Sequence, residues 1–452
     1  MAHEALIAEL LRLPRAVRMR RLRGFDEEQR RALQWHWRLW AREAQIAPEG
    51  DWRLWLVMAG RGFGKTRAGA EWVREAAEHD PQARIALVGA TLAEARSVMV
   101  EGESGVLAVS PPGMGPVFEP SLRRLSWPNG AQATLYSALE PESLRGPQQS
   151  HAWCDEIGKW DHAGGRAERA WDNLRLGLRL GAAPRTLATT TPRAVPLLQR
   201  LLAEPGAVRS GGPTEENCEY LPDDFIEAMR AAYGGSLLAR QELDGVLVLD
   251  RPGALWSRSL LERCREAGPD PRAPRQARGE GDPGIRRMVV AVDPPAGTQG
   301  DACGIVVAAL YADGIARVLA DCSTEGASPE QWARAVAGAA QHWQADRVVA
   351  EANQGGAMVA SVLRAADCAL PLRLVHASRG KTARAEPVAA LYEAGKVRHH
   401  GMFARLEDQL CGLLPGGRYE GPGRSPDRAD ALVWALSELM LARRAEPRVL
   451  TF

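Results

Sequence analysis

The sequence predicts an α/β protein of two domains joined by a linker, and three observations predict it. Between residues 52 and 248, short apolar runs alternate with helical segments. That is the pattern of a mostly parallel sheet covered on both faces. Residues 266–284 are rich in Pro, Gly and Arg and carry no periodicity, which reads as a linker. After it the alternation restarts, in the order βββαβαβα. A chain of 452 residues also exceeds one ordinary hydrophobic core. The expected boundaries are 1–45 for an N-terminal basic helical segment, 46–250 for the first domain, 251–284 for the linker and 285–452 for the second domain.

Composition excludes more than it selects. Lys and Arg number 57 against 56 Asp and Glu, so the net charge of +1 argues for no partner. The seven cysteines are scattered and no two form a C-x-x-C pair, which argues against a disulfide framework or zinc knuckle and fits a reducing compartment. Arginines interrupt every apolar run near the N-terminus, so no signal peptide is expected. The longest apolar stretches are of strand length, too short for a bilayer. The expectation is a cytoplasmic protein with no membrane association. The N-terminal segment ends in Trp35, Trp37 and Trp40, which are expected to pack at helical spacing rather than stack on a base.

In the first domain, strands are expected at 53–58, 84–88, 150–154 and 185–189, and helices at 65–78 and after Thr91. Between the first strand and the first helix runs Ala59-Gly60-Arg61-Gly62-Phe63-Gly64-Lys65-Thr66. This is a P-loop in the context it requires. Gly62 and Gly64 let backbone N–H groups curl around phosphates, Lys65 reaches the β- and γ-phosphates, and Thr66 holds Mg²⁺. Ala59 stands where the general motif has glycine. The strand at 150–154 ends in Asp155-Glu156, where Asp155 is expected to bind Mg²⁺ and Glu156 to orient and deprotonate the attacking water. A solvated strand end is the alternative for such a pair taken alone. Thr189, Thr190 and Thr191 close the next strand, and their hydroxyls, Thr190 among them, are candidates to sense the γ-phosphate. Hydrolysis also needs a cation on the developing γ-phosphate charge. Arg145 is the first candidate for this arginine finger and Arg61 the second, with a surface ion pair the competing reading for both. Together these features predict a P-loop NTPase domain of the ASCE type, binding ATP and Mg²⁺.

In the second domain, strands are expected at 287–292, 304–310, 315–320, 347–350 and 372–375. Helices are expected at 329–343, 357–366, 383–393 and 426–443. This is the element order of a ribonuclease H-like nuclease. Asp293 ends its first strand, Glu351 its fourth, and Asp427 and Asp430 head the last helix. Acids closing apolar strands are costly unless exposed or bound, and two Mg²⁺ or Mn²⁺ ions a few ångströms apart need shared carboxylates. Asp293, Glu351 and Asp430 are the expected ligands. Asp427 is explicable as a helix-dipole residue, and Asp301 is an auxiliary candidate.

Taken in order, these motifs resemble the large terminase subunits of tailed bacteriophages and gene-transfer particles. Ala41-Arg42-Glu43-Ala44-Gln45 resembles their adenine-reading motif, so Gln45 inherits that role. Cys154-Asp155-Glu156 is similar to their acid strand and Thr189-Thr190-Thr191-Pro192-Arg193 to their coupling motif. Ala232-Tyr233-Gly234-Gly235 through Arg240-Gln241-Glu242-Leu243 resembles the end of their ATPase region. The segment with Arg379, Lys381 and Arg384 resembles a phosphate-contacting stretch near their nuclease groove. The resemblance runs from about residue 40 to 439. It implies ATP-driven packaging of double-stranded DNA into a procapsid, metal-dependent cutting of concatemers, and partnership with a portal protein and a small terminase subunit. It further implies a homo-oligomeric ring on the portal and a bacterial host cytoplasm. A helicase-nuclease of DNA repair is the alternative. Against it, one P-loop and one acid strand precede the nuclease, where unwinding helicases usually carry a second ATPase core.

Overall fold

The computed structural model describes residues 2–222, 224–233, 236–266, 284–295, 302–352, 356–376 and 381–441. The chain divides into two compact units, one of residues 1–234 and 239–249, the other of 235–238 and 250–452. Among the described residues no helix is long and apolar enough to cross a membrane.

The first unit is built on strands β1 (Leu54–Met58), β2 (Arg84–Gly89), β3 (Val117–Glu119), β4 (Arg124–Ser126), β5 (Gln132–Ser137), β6 (His151–Cys154), β7 (Arg185–Thr190) and β8 (Val208–Ser210). Their order is β3-β4-β5-β2-β6-β7-β1-β8. From β5 to β8 every pairing is parallel; β3 and β4 add an antiparallel edge. The four strands expected from the sequence are the centre of this sheet. They read clearly because they are buried on both faces and rich in apolar and β-branched residues. The short outer strands β3, β4 and β8 carry no comparable run. The helix Lys65–His79 covers one face, where Gly69 lets it approach Trp153: a Cβ at Gly69 would lie 2.2 Å from the indole. The helix after Thr91 is a short α-turn continued as a wider π-turn over Ala95–Val100.

Residues 2–40 form four short helices around Leu10, Met19, Leu22, Leu33 and Leu39. Trp40 packs against this cluster and its indole N–H donates to the Leu33 carbonyl at 3.0 Å, as packing would require.

The second unit carries β9 (Ile285–Asp293), β10 (Ala302–Tyr311), β11 (Ala316–Asp321), β12 (Thr324–Glu325), β13 (Arg347–Glu351), β14 (Leu372–Val375) and β15 (Val397–His399), in the order β14-β13-β9-β10-β11-β15 with β12 beside β10. β9, β10 and β11 are antiparallel neighbours, and β13 lies parallel to β9. The expected order is present, with β12, β15 and the helix Ala404–Leu410 added. β12 and β15 are two or three residues long and show no alternation to read. The last helix is α-helical over Asp427–Leu436 and widens over Ser437–Leu441.

The linker expected at 251–284 is corrected over its first half. Ser257 caps a helix over Arg258–Arg263, accepting from the Leu260 N–H at 3.1 Å, and Trp256, Leu260, Leu261 and Cys264 are buried in the core of the second unit. One apolar helical face sits there between residues that read as breakers, and burial outweighed composition. Residues 267–283 lie outside the described residues.

Candidate functional site

The P-loop is shaped by glycines and clamped from three sides. Gly62 and Gly64 adopt φ of +77° and +92°, where a side chain strains the backbone. Gly60 has no room for one: a Cβ would lie 2.3 Å from the Leu243 carbonyl. Thr214 donates its hydroxyl to the Arg61 carbonyl at 2.6 Å, and Asn217 its amide to the Gly62 carbonyl at 2.7 Å. Arg42, buried over the Phe63 ring, donates to the Phe63 carbonyl. Gln45 donates to the carbonyls of Phe63 (3.2 Å) and Gly64 (3.4 Å) and accepts from the Arg42 N–H (3.1 Å). It braces the loop while also lining the cavity beside it. Arg42, Thr214 and Asn217 were missed as site residues. Only Arg42, inside the adenine-motif segment, carried a sequence signal.

That cavity, of about 920 Å³, is lined among others by Gln45, Lys65, Thr66, Glu156, Thr191 and Arg193. Trp37 lines it too, with the Arg67 guanidinium 5.6 Å from its ring centre. Lys65 is buried, and its ammonium donates to the carbonyls of Ala59 and Gly60 at 3.1 Å and to the Thr191 hydroxyl at 3.2 Å. It lies 3.7 Å from Glu156. Burial pulls the Lys65 pKa down, with Glu156 and Asp155 opposing. Glu156 takes a left-handed backbone, φ +47°, unusual for a residue with a side chain. Its carboxylate accepts from the Thr191 N–H (3.2 Å) and hydroxyl (3.4 Å). Asp155 accepts from the Thr189 hydroxyl at 2.6 Å. Burial, then the neighbouring Glu156, push its carboxyl up to about 6.

The three threonines therefore separate. Thr189 serves Asp155 and Thr191 serves Glu156 and Lys65. Thr190, the expected nucleotide contact, instead accepts from the Gly158 N–H at 3.1 Å and donates to the Thr191 carbonyl at 2.7 Å. It does not line the cavity. Thr190 is the last residue of β7 and Thr191 the first beyond it, and their hydroxyls take different partners. Of the two finger candidates, Arg61 lines the cavity but is held by Glu242 (3.0 Å), and Arg145 lies outside it, 76% exposed and 3.9 Å from Glu142.

In the second unit, β9 and β13 are neighbours in register up to Val292 and Ala350. Asp293 and Glu351 therefore end adjacent strands. Gly304, opposite Asp293 on β10, lets the last helix rest directly on that strand: a Cβ there would lie 1.9 Å from the Asp427 carbonyl. The Asp427 carboxylate accepts from the Ala302 N–H at 3.2 Å. Burial raises the Cys303 thiol pKa, and the charges of Asp293 and Asp427 raise it further, so both acids converge on this point. Asp427 also lines a cavity of about 390 Å³, whereas Asp430, the preferred third acid, is not among its lining residues.

Glu351 is engaged by its own protein. It accepts from the Trp434 indole at 2.6 Å and from Arg384 at 3.3 Å, with the Arg384 guanidinium 4.4 Å from the Trp434 ring centre. Arg384, an expected DNA contact, is thus turned onto a carboxylate, with its guanidinium also stacked on the Trp434 ring. Among the described residues no three His, Cys, Asp or Glu side chains stand close enough to hold a metal ion together. The expected carboxylate cage is not assembled there. Asp301 and Arg379 lie outside the described residues; Lys381 opens the helix Lys381–Glu393.

Residues 56–263 match the family model described as terminase large subunit, T4likevirus-type, N-terminal, and residues 290–439 match the terminase RNaseH-like domain. Neither describes a repair helicase. No curated protein matches the sequence. Solved structures similar to the chain include a large terminase from a thermophilic bacteriophage (13% identity, 92% of this chain and 99% of that one, TM-score 0.39). Others are the HK97 bacteriophage large terminase (15%, 92% and 95%, 0.36) and the large terminase nuclease from thermophilic phage G20c (18%, 41% and 98%, 0.31). With one terminase model on each half of the sequence, in order, the chain belongs to the large terminase family, whose members combine an ATPase with a nuclease to package phage DNA.

Proposed function

We propose that Lys65, Glu156 and Thr191 form the centre that hydrolyses ATP to drive double-stranded DNA into a procapsid, and that Asp293, Glu351 and Asp427, backed by Asp430, form the centre that cuts it. The observation that carries the first assignment is the buried Lys65 ammonium bound to Thr191 and 3.7 Å from Glu156, on one cavity wall. With nucleotide present, Lys65 exchanges its contacts with the Ala59 and Gly60 carbonyls for the β- and γ-phosphates. Gly62 and Gly64 present backbone N–H groups to the same phosphates, and Gln45 holds the loop on the adenine side. Glu156 orients the attacking water and takes its proton. Mg²⁺ accompanying ATP neutralises phosphate charge, and Thr66 and Asp155 would hold it. Thr66 lines the cavity, whereas Asp155 sits behind Glu156 with its carboxylate on the Thr189 hydroxyl, so Thr66 is the donor that faces the nucleotide directly. Thr191, joined to both Lys65 and Glu156, carries the loss of the γ-phosphate back into β7.

In the cutting centre, the carboxylates are donors of the type Mg²⁺ or Mn²⁺ prefers. Their spacing among the described residues is not that of a formed cage, so no cleavage step is assigned to an ion. Arg379 and Lys381 are proposed to contact the DNA backbone. A portal protein, a small terminase subunit, a homo-oligomeric ring and the host cytoplasm complete the proposal and follow from family membership.

The test is a pair of variants assayed for both activities. Glu156→Ala is expected to abolish ATP hydrolysis and spare plasmid cleavage; Asp293→Ala is expected to do the reverse. Loss of both activities in either folded variant would defeat the two-centre assignment.

A further inference from the structure

We propose that Arg193 is the cation that stabilises the γ-phosphoryl group during hydrolysis, acting within its own subunit; the inference rests on the ATPase reading above. Hydrolysis concentrates charge on the transferring phosphoryl oxygens, and Glu156 adds a negative charge beside them. Lys65 faces both, and Lys159 lines the same cavity. Arg61 is held by Glu242, and Arg145 stands outside the cavity. Arg193 lines the cavity with Lys65, Glu156 and Thr191.

Its position is imposed by the loop that carries Glu156. Residue by residue, the end of β7 is stitched to that loop: Thr189 to Asp155, Thr190 to the Gly158 N–H, Thr191 to Glu156. Arg193 follows two residues later, after a proline that limits the backbone. Gly158 then receives its stem. A Cβ on Gly158 would lie 2.8 Å from the Thr190 hydroxyl, 3.2 Å from the Thr191 carbonyl and 3.3 Å from the Arg193 Cβ. The loop that carries Glu156 and the stem of this arginine are thus packed against each other through Gly158, the kind of fixed placement that electrostatic stabilisation uses. A planar guanidinium can also donate to two phosphoryl oxygens at once.

In the step, water attacks the γ-phosphorus and the bond to the β-phosphate bridging oxygen breaks. Glu156 takes the water's proton and ADP leaves with the bonding electron pair. Arg193 donates hydrogen bonds to the γ-phosphoryl oxygens and forms no covalent bond.

The experiment compares ATP hydrolysis and binding of a fluorescent ATP analogue in the full chain, in Arg193→Ala, Arg193→Gln and Arg193→Lys, with Lys65→Ala as calibrator. Arg193→Gln keeps most of the stem and guards against a folding defect, read by circular dichroism. The expected result is a fall in kcat of about 10²- to 10³-fold in the Ala and Gln variants with Kd within about threefold, and partial recovery in the Lys variant. Adding excess Glu156→Ala protein, which carries an intact Arg193, is expected to restore nothing. A kcat within about threefold of wild type, a matching loss of affinity and rate, or rescue by the added protein would overturn the assignment. If Lys65→Ala itself hydrolyses ATP normally, the ATPase reading fails first. If Lys65→Ala is inactive and Arg193→Ala is not, only the role of Arg193 falls.

Discussion

At the scale of single residues, both centres depend on glycines that make room for carboxylate-bearing segments. Gly304 is the sharpest case, because backbone rather than a flexible side chain fills the space a methyl group would need. Gly304→Ala is expected to lift the start of the last helix, displace Asp427 and lower plasmid cleavage at least tenfold, while ATP hydrolysis is unchanged. Its stability cost should be about 1–3 kcal/mol by denaturant titration. A variant that cuts at the wild-type rate would show that the contact does not set the position of Asp427. Gly304 lies in an ordinary apolar strand, and nothing in its neighbours along the chain announces its role. Lys65 and Thr66 could be singled out in the sequence because a phosphate-binding turn is made by consecutive residues, and Glu156 because it follows an apolar strand. The choice of Thr191 over Thr190 could not be read there, because it depends on which hydroxyl meets Lys65.

At the scale of elements, the second unit is tied together by a buried polar network. Tyr392, on the helix Lys381–Glu393, bonds the His399 ring at 2.8 Å, and the other His399 nitrogen lies 3.0 Å from Glu407 on the helix Ala404–Leu410. Arg265 adds two 3.0 Å contacts to the same carboxylate. Burial alone would raise the Glu407 carboxyl, but His399 and Arg265 outweigh it and hold it at about 2. A folded-state pKa below the unfolded value means stability that is complete above about 4.5 and lost as pH falls towards 2. The stake is on the order of 3 kcal/mol. Glu407→Gln is expected to lower stability by about 3 kcal/mol at pH 7, since it removes the charge that Arg265 and His399 share. It should also flatten the acid limb of a pH-dependent melt. An unchanged acid limb would remove Glu407 as its cause. None of this was visible in sequence: the four partners come from separate segments, and β15, which carries His399, has only three residues.

At the scale of the whole molecule, each unit has its own sheet and its own core. ATP should therefore act as a ligand of the folded first unit. A nonhydrolysable ATP analogue with Mg²⁺ at a hundred times its Kd is expected to stabilise it by about 2.7 kcal/mol. The measurement is a rise in melting temperature for wild type and none for Lys65→Ala. An equal rise in both proteins would place the analogue elsewhere.

The amino-acid order alone determined the features that arise among near neighbours. These are the strand-turn-helix of the P-loop, the acids that close apolar strands, and the alternation that names two α/β sheets in series. Each is a local pattern whose physics acts over a few residues. Tertiary structure decided the rest: Trp256, Leu260, Leu261 and Cys264 in the second core rather than in a linker, Arg384 turned onto Glu351, Asp427 brought to the end of β9, and Arg193 packed on Gly158. Those outcomes depend on which distant segments meet, and burial and steric fit at such meetings leave no periodic trace in the chain.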